Sequence, residues 1–167
     1  NSVNDRIYPQ KADFTFYGGI YRDVSLLVVN KNHIALGHFG DTGVKITPTL
    51  KEGSADILVE TQVEGQGTVL VELLDAAGSV VAKGKGEKTS LHLAAPHLWN
   101  GVKDPYLYTC IVRLLQDGQP VDEVTTKVGL RSFSVDAKKG FFLNGKPYPL
   151  HGGSRPQDRT GLGNAIA

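Results

Sequence analysis

The apolar positions of this chain recur mostly at every second residue. Ala55, Ile57, Val59, Thr61 and Val63 alternate with Asp56, Leu58, Glu60, Gln62 and Glu64, as a strand with one dry and one wet face requires. Val44 to Leu50 has β-branched residues at alternate positions but contains Pro48. Proline cannot donate to a central ladder, so this strand is predicted at a sheet edge or a bulge. Thr68 to Leu74 is a nearly continuous apolar run, and Ala76-Ala77-Gly78 turns it back into Val80 to Lys83 as a hairpin. Thr89 to Ala95 predicts a short strand with Leu91 and Leu93 inward. Tyr106 to Leu115 predicts a long strand, Asp117-Gly118 a turn, and Val121 to Val128 the return. No stretch of ten residues keeps a helical period.

The two ends are less regular. Residues 1 to 15 have no period and read as loop; Gly18-Gly19 predicts a bend feeding a strand over Ser25 to Val29, and Ile34 to Leu36 is a short apolar patch that could begin the next layer. Phe133 and Val135 suggest one more strand. Gly140 to Tyr148 predicts a tight hairpin, because Asn144-Gly145 suits the positive φ of a type I′ turn. From Leu150 onward the chain is glycine-rich and charged without period.

Roughly seven short strands with turn signals every 8 to 12 residues make the fold all-β, an antiparallel sandwich with extended N- and C-terminal flanking segments. Asp104, Tyr108 and Cys110 refine this, because their D-x-x-x-Y-x-C spacing is that of an immunoglobulin-like sandwich, in which the Tyr forms a corner with its hydroxyl tied to backbone upstream. Cys110 is the only cysteine. Apolar packing must therefore join the sheets without a disulfide. Trp99 reads as a plug of the same core.

Composition adds exclusions. The chain has 167 residues, 40% of them hydrophobic, and 18 basic against 17 acidic side chains for a net charge of +1. That is enough apolar material for a core, and too balanced a charge to predict nucleic acid or an anionic membrane as partner. No apolar run approaches a membrane span and the start is too polar for a secretory signal. The lone Cys slightly favours a cytoplasmic over an exported setting, and the compartment stays open. No Met occurs, even at position 1, which points to a processed chain or a piece of a longer one.

The chemistry-bearing residues are sparse. His33, His38, His92, His97 and His151 show no ligand spacing. Asp56, Glu60 and Glu64 could suggest a glycosidase pair, but they share the wet face of one strand and read as solvated charges. Cys110 reads as a buried thiol rather than a nucleophile, given its alternation with Tyr108, Val112 and Leu114. Arg22 and Asp23 are adjacent on a predicted strand and so point to opposite faces; a free carboxylate there could accept hydrogen bonds from sugar hydroxyls or ligate a hard cation, or could be a surface charge or a salt-bridge partner. Arg155, Gln157, Asp158 and Arg159 form a polar cluster that is either a ligand edge or loose chain.

Three stretches carry a resemblance. FYGGIYRDVSLL at 16 to 27 looks like the exit of the jelly-roll sugar-binding domain of glycoside hydrolase family 2, LWNGVKDPYLYT at 98 to 109 is similar to that family's L-W-x-P-x-x-P-Y-L-Y-T stretch, and VGLRSFSVD with GFFLNGKPYPLHGGSRPQDRTGLGNAI resembles the start of its catalytic (β/α)8 barrel. The resemblance implies residues 1–30 as the tail of the sugar-binding domain, 31–131 as the immunoglobulin-like domain, and 132–167 as the truncated opening of the barrel. It implies a retaining hydrolase, with R-x-Q-D-R-x-G-x-G-N-A closer to β-galactosidases than to β-glucuronidases or β-mannosidases. The two catalytic glutamates would lie far along a barrel of about 250 residues, so this chain is expected to be non-catalytic. Its expected partners are the remaining domains of the enzyme and, in that enzyme, a β-galactoside. The resemblance also maps Asp23 onto a carboxylate that helps bind galactose and a cation, Mg2+ or Na+, with no cofactor expected in this chain alone. Arg155 and Asp158 are weaker candidates, because Pro156 stands where the family usually has a His near the substrate. A stand-alone carbohydrate-binding or adhesion sandwich is the alternative, and a complete small hydrolase a distant third.

Overall fold

Backbone pairing puts the alternating segments into two sheets. In the computed structural model, which describes residues 19–20, 23–37, 41–154 and 160–161, one sheet is built from β2 (Val44–Lys51), β3 (Ser54–Thr61) and β7 (Lys88–Ala94). The other has β5 (Thr68–Leu74), β6 (Val80–Lys85), β8 (Tyr108–Gln116) and β9 (Gln119–Val128), in the order β6-β5-β8-β9. All these pairings are antiparallel. Two short strands, β1 (His33–Ile34) and β4 (Val63–Glu64), pair with each other, and β10 (Phe133–Asp136), β11 (Gly140–Leu143) and β12 (Lys146–Pro147) make a further antiparallel sheet, the exit sheet. A single 3-10 turn, Gly101–Lys103, is the only helical element among the described residues.

The period of two decides what is inside. Ala55, Ile57 and Val59 of β3 meet Val69, Val71 and Leu73 of β5, Leu91 of β7, and Tyr108, Cys110, Val112 and Leu114 of β8 in one buried cluster. Ile57, Leu73, Leu114 and Leu130 are fully excluded from solvent, and burying one such side chain is worth about 1.5 to 3 kcal/mol. The fold is thus an all-β, immunoglobulin-like sandwich. Leu93 and Trp99 are only half-buried, so the expected plug role of Trp99 is not what is found. Trp99 is not among the buried cluster, and the guanidinium of Arg131 lies over its indole at 4.6 Å from the ring centre, a cation–π contact.

Turn chemistry matches the sequence closely. β2 pairs only with β3, so Pro48, opposite Ile57, lies on an edge strand where no ladder bond is lost on its free side. Asn144 (φ +49°) and Gly145 (φ +74°) both take left-handed backbone at the tip between β11 and β12, as a type I′ turn demands. The predicted strand at Ser25 to Val29 does not form. Residues 23–30 are irregular, and Leu26 and Val28 are 90% and 85% exposed. Apolar alternation cannot make a strand without a neighbouring edge to pair with.

The chain divides into two compact units, Val28–Leu150 and a second comprising Asn1–Leu27 with His151–Ala167. The first holds every strand assigned among the described residues, the hairpin of β11 and β12 included. In the second, residues 23–27 and 151–154 are exposed and irregular.

Candidate functional site

A connected set of side-chain contacts outside the core sits where the exit sheet meets the loop before β8. Tyr108, 4% exposed, stands at the start of β8, and its hydroxyl accepts the backbone N–H of His97 at 2.9 Å. This is the corner bond that D-x-x-x-Y-x-C predicts. Burial raises the Tyr108 hydroxyl above its ordinary pKa, so it stays protonated and keeps a hydrogen to donate as well. Tyr106 lies edge-on to Tyr108 at 5.0 Å between ring centres and stacks on the His97 imidazole at 3.9 Å, nearly parallel at 8°. His97 Nε2 in turn lies 2.7 Å from Asp104 Oδ2. Tyr106 also accepts the Ala76 N–H at 3.0 Å, which ties the turn between β5 and β6 to the same loop.

Asn144 closes the arrangement from the hairpin side. Its Nδ2 donates to the Trp99 carbonyl at 3.0 Å and to Asn100 Oδ1 at 2.8 Å, and its Oδ1 accepts the Ser132 N–H at 2.9 Å. The Tyr148 hydroxyl accepts the Val102 N–H at 3.3 Å. A Cβ at Gly101 would lie 2.2 Å from that hydroxyl, and Gly101 has φ +68°. Only glycine fits there on both counts. The hairpin is thereby clamped to the end of the sandwich by side chains far apart in sequence. What this arrangement can do is mechanical: it fixes the direction in which the chain leaves the sandwich.

The predicted chemistry-bearing residues are placed elsewhere. Asp56 on the wet face of β3 takes contacts from His92 Nδ1 at 2.8 Å and from the Lys51 ammonium; the His92 bond first, then Lys51, holds its carboxyl below the usual range. Glu60 faces Lys88 at 3.3 Å. Both are ion-paired surface carboxylates on one strand, not a facing pair. Cys110 is excluded from solvent, and burial pushes its thiol up to about 11, the reverse of what a nucleophile needs. Asp23 is exposed and lies in irregular chain rather than on a strand. Arg22, His38, Arg155, Pro156, Gln157, Asp158 and Arg159 lie outside the described residues. Among the described residues no three His, Cys, Asp or Glu side chains gather as a metal site, and no helix is long and apolar enough to cross a membrane.

Asn144, Tyr148 and Gly101 have no place in the sequence-based reading of function, and His97 enters it only as a histidine without ligand spacing. Two Asn-Gly steps, at 100 and 144, are the signal that the sequence offers. Spacing can flag each as a turn, but it cannot show that their amides bond to each other.

Comparison with known proteins agrees with this architecture. The profile of the glycosyl hydrolases family 2 matches residues 38–131, more than half of the chain. A β-glucuronidase of Bacteroides fragilis is 36% identical over 96% of the chain and 25% of its own length. A β-galactosidase of Bacteroides ovatus is 31% identical over 89% of the chain and 19% of its own length. The crystal structure of an FMN-binding β-glucuronidase from Facaelibacterium prausnitzii superposes with a TM-score of 0.91 at 35% identity, covering the whole of this chain and 27% of that one. The fold and the matched residues define an immunoglobulin-like domain of a glycoside hydrolase. The chain belongs to glycosyl hydrolases family 2, and it spans about a quarter or less of the length of these relatives.

Proposed function

We propose that these residues act as a non-catalytic spacer in a longer family 2 hydrolase, holding the domain on the N-terminal side of the sandwich and the domain on its C-terminal side at a fixed separation. The joint made by Asn144, Tyr148, Gly101 and Trp99 is the observation that supports this. A sandwich used only for its own surface has no need to fix its exit hairpin with such a clamp. On this reading residues 1–30 belong to the sugar-binding domain, 31–131 to the spacer and 132–167 to the first part of a barrel. The hydrolytic carboxylates belong to the longer chain, one attacking the anomeric carbon and one serving as acid and then base. Asp23 contributes to sugar or cation contact there, with Arg155 and Asp158 as weaker contributors. No step is assigned to Mg2+ or Na+.

The R-x-Q-D-R pattern at 155 to 159 supports a terminal β-galactoside as substrate. The β-glucuronidase from Bacteroides fragilis, at 36% identity, favours a β-glucuronide as the second reading. Parallel assays of the 167-residue chain and of the longest natural chain containing it, with aryl β-galactoside and aryl β-glucuronide, test both levels. Turnover is expected only from the longer chain, with the galactoside preferred. Hydrolysis by the 167 residues alone, or galactoside binding by them at millimolar affinity or tighter, would overturn the spacer reading, whereas glucuronide preference in the longer chain would overturn only the substrate.

A further inference from the structure

The joint at the end of the sandwich brings the two Asn-Gly steps of the chain, Asn100-Gly101 and Asn144-Gly145, together amide to amide. An asparagine before glycine is chemically labile, because glycine has no Cβ to keep its nitrogen away from the preceding Cγ. That nitrogen gives its proton to solvent base and attacks Cγ. An N–Cγ bond forms, the Cγ–Nδ2 bond breaks, and ammonia leaves with a proton taken back from solvent. Water then opens the five-membered ring to an aspartate or an isoaspartate, so the sum is one water consumed and one ammonia released.

The two steps differ in what surrounds them. Gly145 is exposed, with nothing within 4 Å of the place a Cβ would take, so solvent base reaches its N–H and its peptide has room to swing. The Ser132 N–H lies 2.9 Å from Asn144 Oδ1, the oxygen on which charge develops as Cγ is attacked. Gly101 is buried, and a Cβ there would meet the hydroxyl of Tyr148 at 2.2 Å; Tyr148 is itself held edge-on to Phe141 at 6.4 Å. The Asn100 N–H donates to the Asp104 carbonyl at 2.8 Å, and Asn100 Oδ1 accepts from Asn144 Nδ2 at 2.8 Å. The peptide after Asn100 therefore turns only when the joint has opened.

The bond between the two amides is one-sided. A backbone N–H can only donate, so Ser132 fixes Asn144 Oδ1 as an acceptor and Nδ2 as the donor to Trp99 and Asn100. A carboxylate at 144 has no hydrogen to give, and would set acceptor against acceptor at both contacts. A carboxylate at 100 still accepts from Asn144.

We propose that Asn144 is a site of spontaneous deamidation whose conversion releases the hairpin and opens Asn100 to the same reaction, so that the joint comes apart once and in that order. This modification does not depend on the spacer reading. The test incubates the 167-residue chain at mildly alkaline pH and follows the mass gain of amide-to-acid conversion in tryptic peptides 89–103 and 140–159, each of which holds one of the two asparagines and no other. The urea-unfolded chain gives each step its own reference rate. Relative to that reference, Asn144 in the folded chain should convert roughly tenfold faster than Asn100. Asn144→Asp should speed conversion at Asn100 about tenfold, whereas Asn100→Asp should leave Asn144 within about twofold. Amide exchange at Val71 and Val112 should stay that of the parent in both variants. Asn100 converting first or equally fast would overturn the proposal, as would an Asn144 that stays intact in the folded chain while the unfolded chain converts completely. An Asn144→Asp variant that leaves Asn100 at its parental rate would sink the ordered opening. So would one in which core exchange quickens along with Asn100, since the whole sandwich would then be unfolding.

Discussion

Cys110 shows how one side chain can report on the whole core. It sits in β8 two residues after the corner tyrosine, fully excluded from solvent in the cluster that holds Tyr108, Val112 and Leu73. Burial raises its pKa from 9.0 to about 11, because a thiolate there would have no water and no counter-charge. In the unfolded chain the thiol ionises at its ordinary value. Between about pH 9 and pH 11 the folded state therefore binds more protons than the unfolded one, and stability falls as pH rises, by about 1.4 kcal/mol per unit at the steepest. Below pH 9 both states hold the proton and the contribution is flat. Lysines and tyrosines titrate in the same window, so the measurement is a difference: urea unfolding of the parent and of Cys110→Ala from pH 7 to 11. The stability gap between them should be constant up to pH 9 and shrink above it. A gap that does not move with pH would mean that the thiol reaches water in the native state.

At the scale of elements, the close approach of β6 to β7 brings the two sheets together with little room for change. Gly84 of β6 lies so near β7 that a Cβ there would come 2.8 Å from Thr89 Cγ2 and 2.9 Å from Leu91 Cδ2. Both neighbours face the core, at 8% and 2% exposure, and have little room to yield. Gly84→Val should lower stability by roughly 1 to 3 kcal/mol through overpacking, seen as a lower urea midpoint at unchanged slope, while Gly84→Ala should cost less because only side-chain atoms must shift. Equal stability of parent and valine variant would show that the strand can slide away from its neighbour. Sequence could place β6 as a strand, since Val80 to Lys83 comes after a clear turn, but could not show that its glycine faces the opposite sheet. The same boundary between local and non-local information runs through the rest of the fold. Alternation at Ala55 to Thr61, Pro48 on an edge and Asn144-Gly145 at a hairpin tip are legible because each rests on backbone geometry within a few residues. The failed strand at Ser25 to Val29 and the half-buried Trp99 are not, because each depends on whether some distant segment supplies a partner. Asn144, the centre of the candidate site, is legible as a turn residue and illegible as a clamp for this reason.

For the molecule as a whole, that clamp decides whether the last hairpin moves with the sandwich or apart from it. Asn144 contributes twice: its backbone takes φ +49°, and its amide makes three bonds that reach Trp99, Asn100 and Ser132. An Asn144→Gly variant keeps the backbone and removes the bonds; Asn144→Ala removes the bonds and adds the strain of a left-handed alanine, about 1 to 2 kcal/mol. At about 1 kcal/mol for each lost bond, the glycine variant should open the joint by roughly 2 to 3 kcal/mol and the alanine variant by more. The readout is local. Amide exchange at Phe141 to Leu143 should quicken by about a hundredfold in Asn144→Gly, while Val71 and Val112 in the sandwich core keep the exchange of the parent. Trp99 fluorescence should shift as Arg131 and the hairpin leave the indole. If exchange quickens equally in the core and the hairpin, the two unfold together and Asn144 supports the entire fold; if it quickens in neither, the aromatic contacts of Phe141 and Tyr148 hold the hairpin without the amide. Only selective opening of the hairpin fits a joint whose purpose is to fix the direction of the chain beyond it.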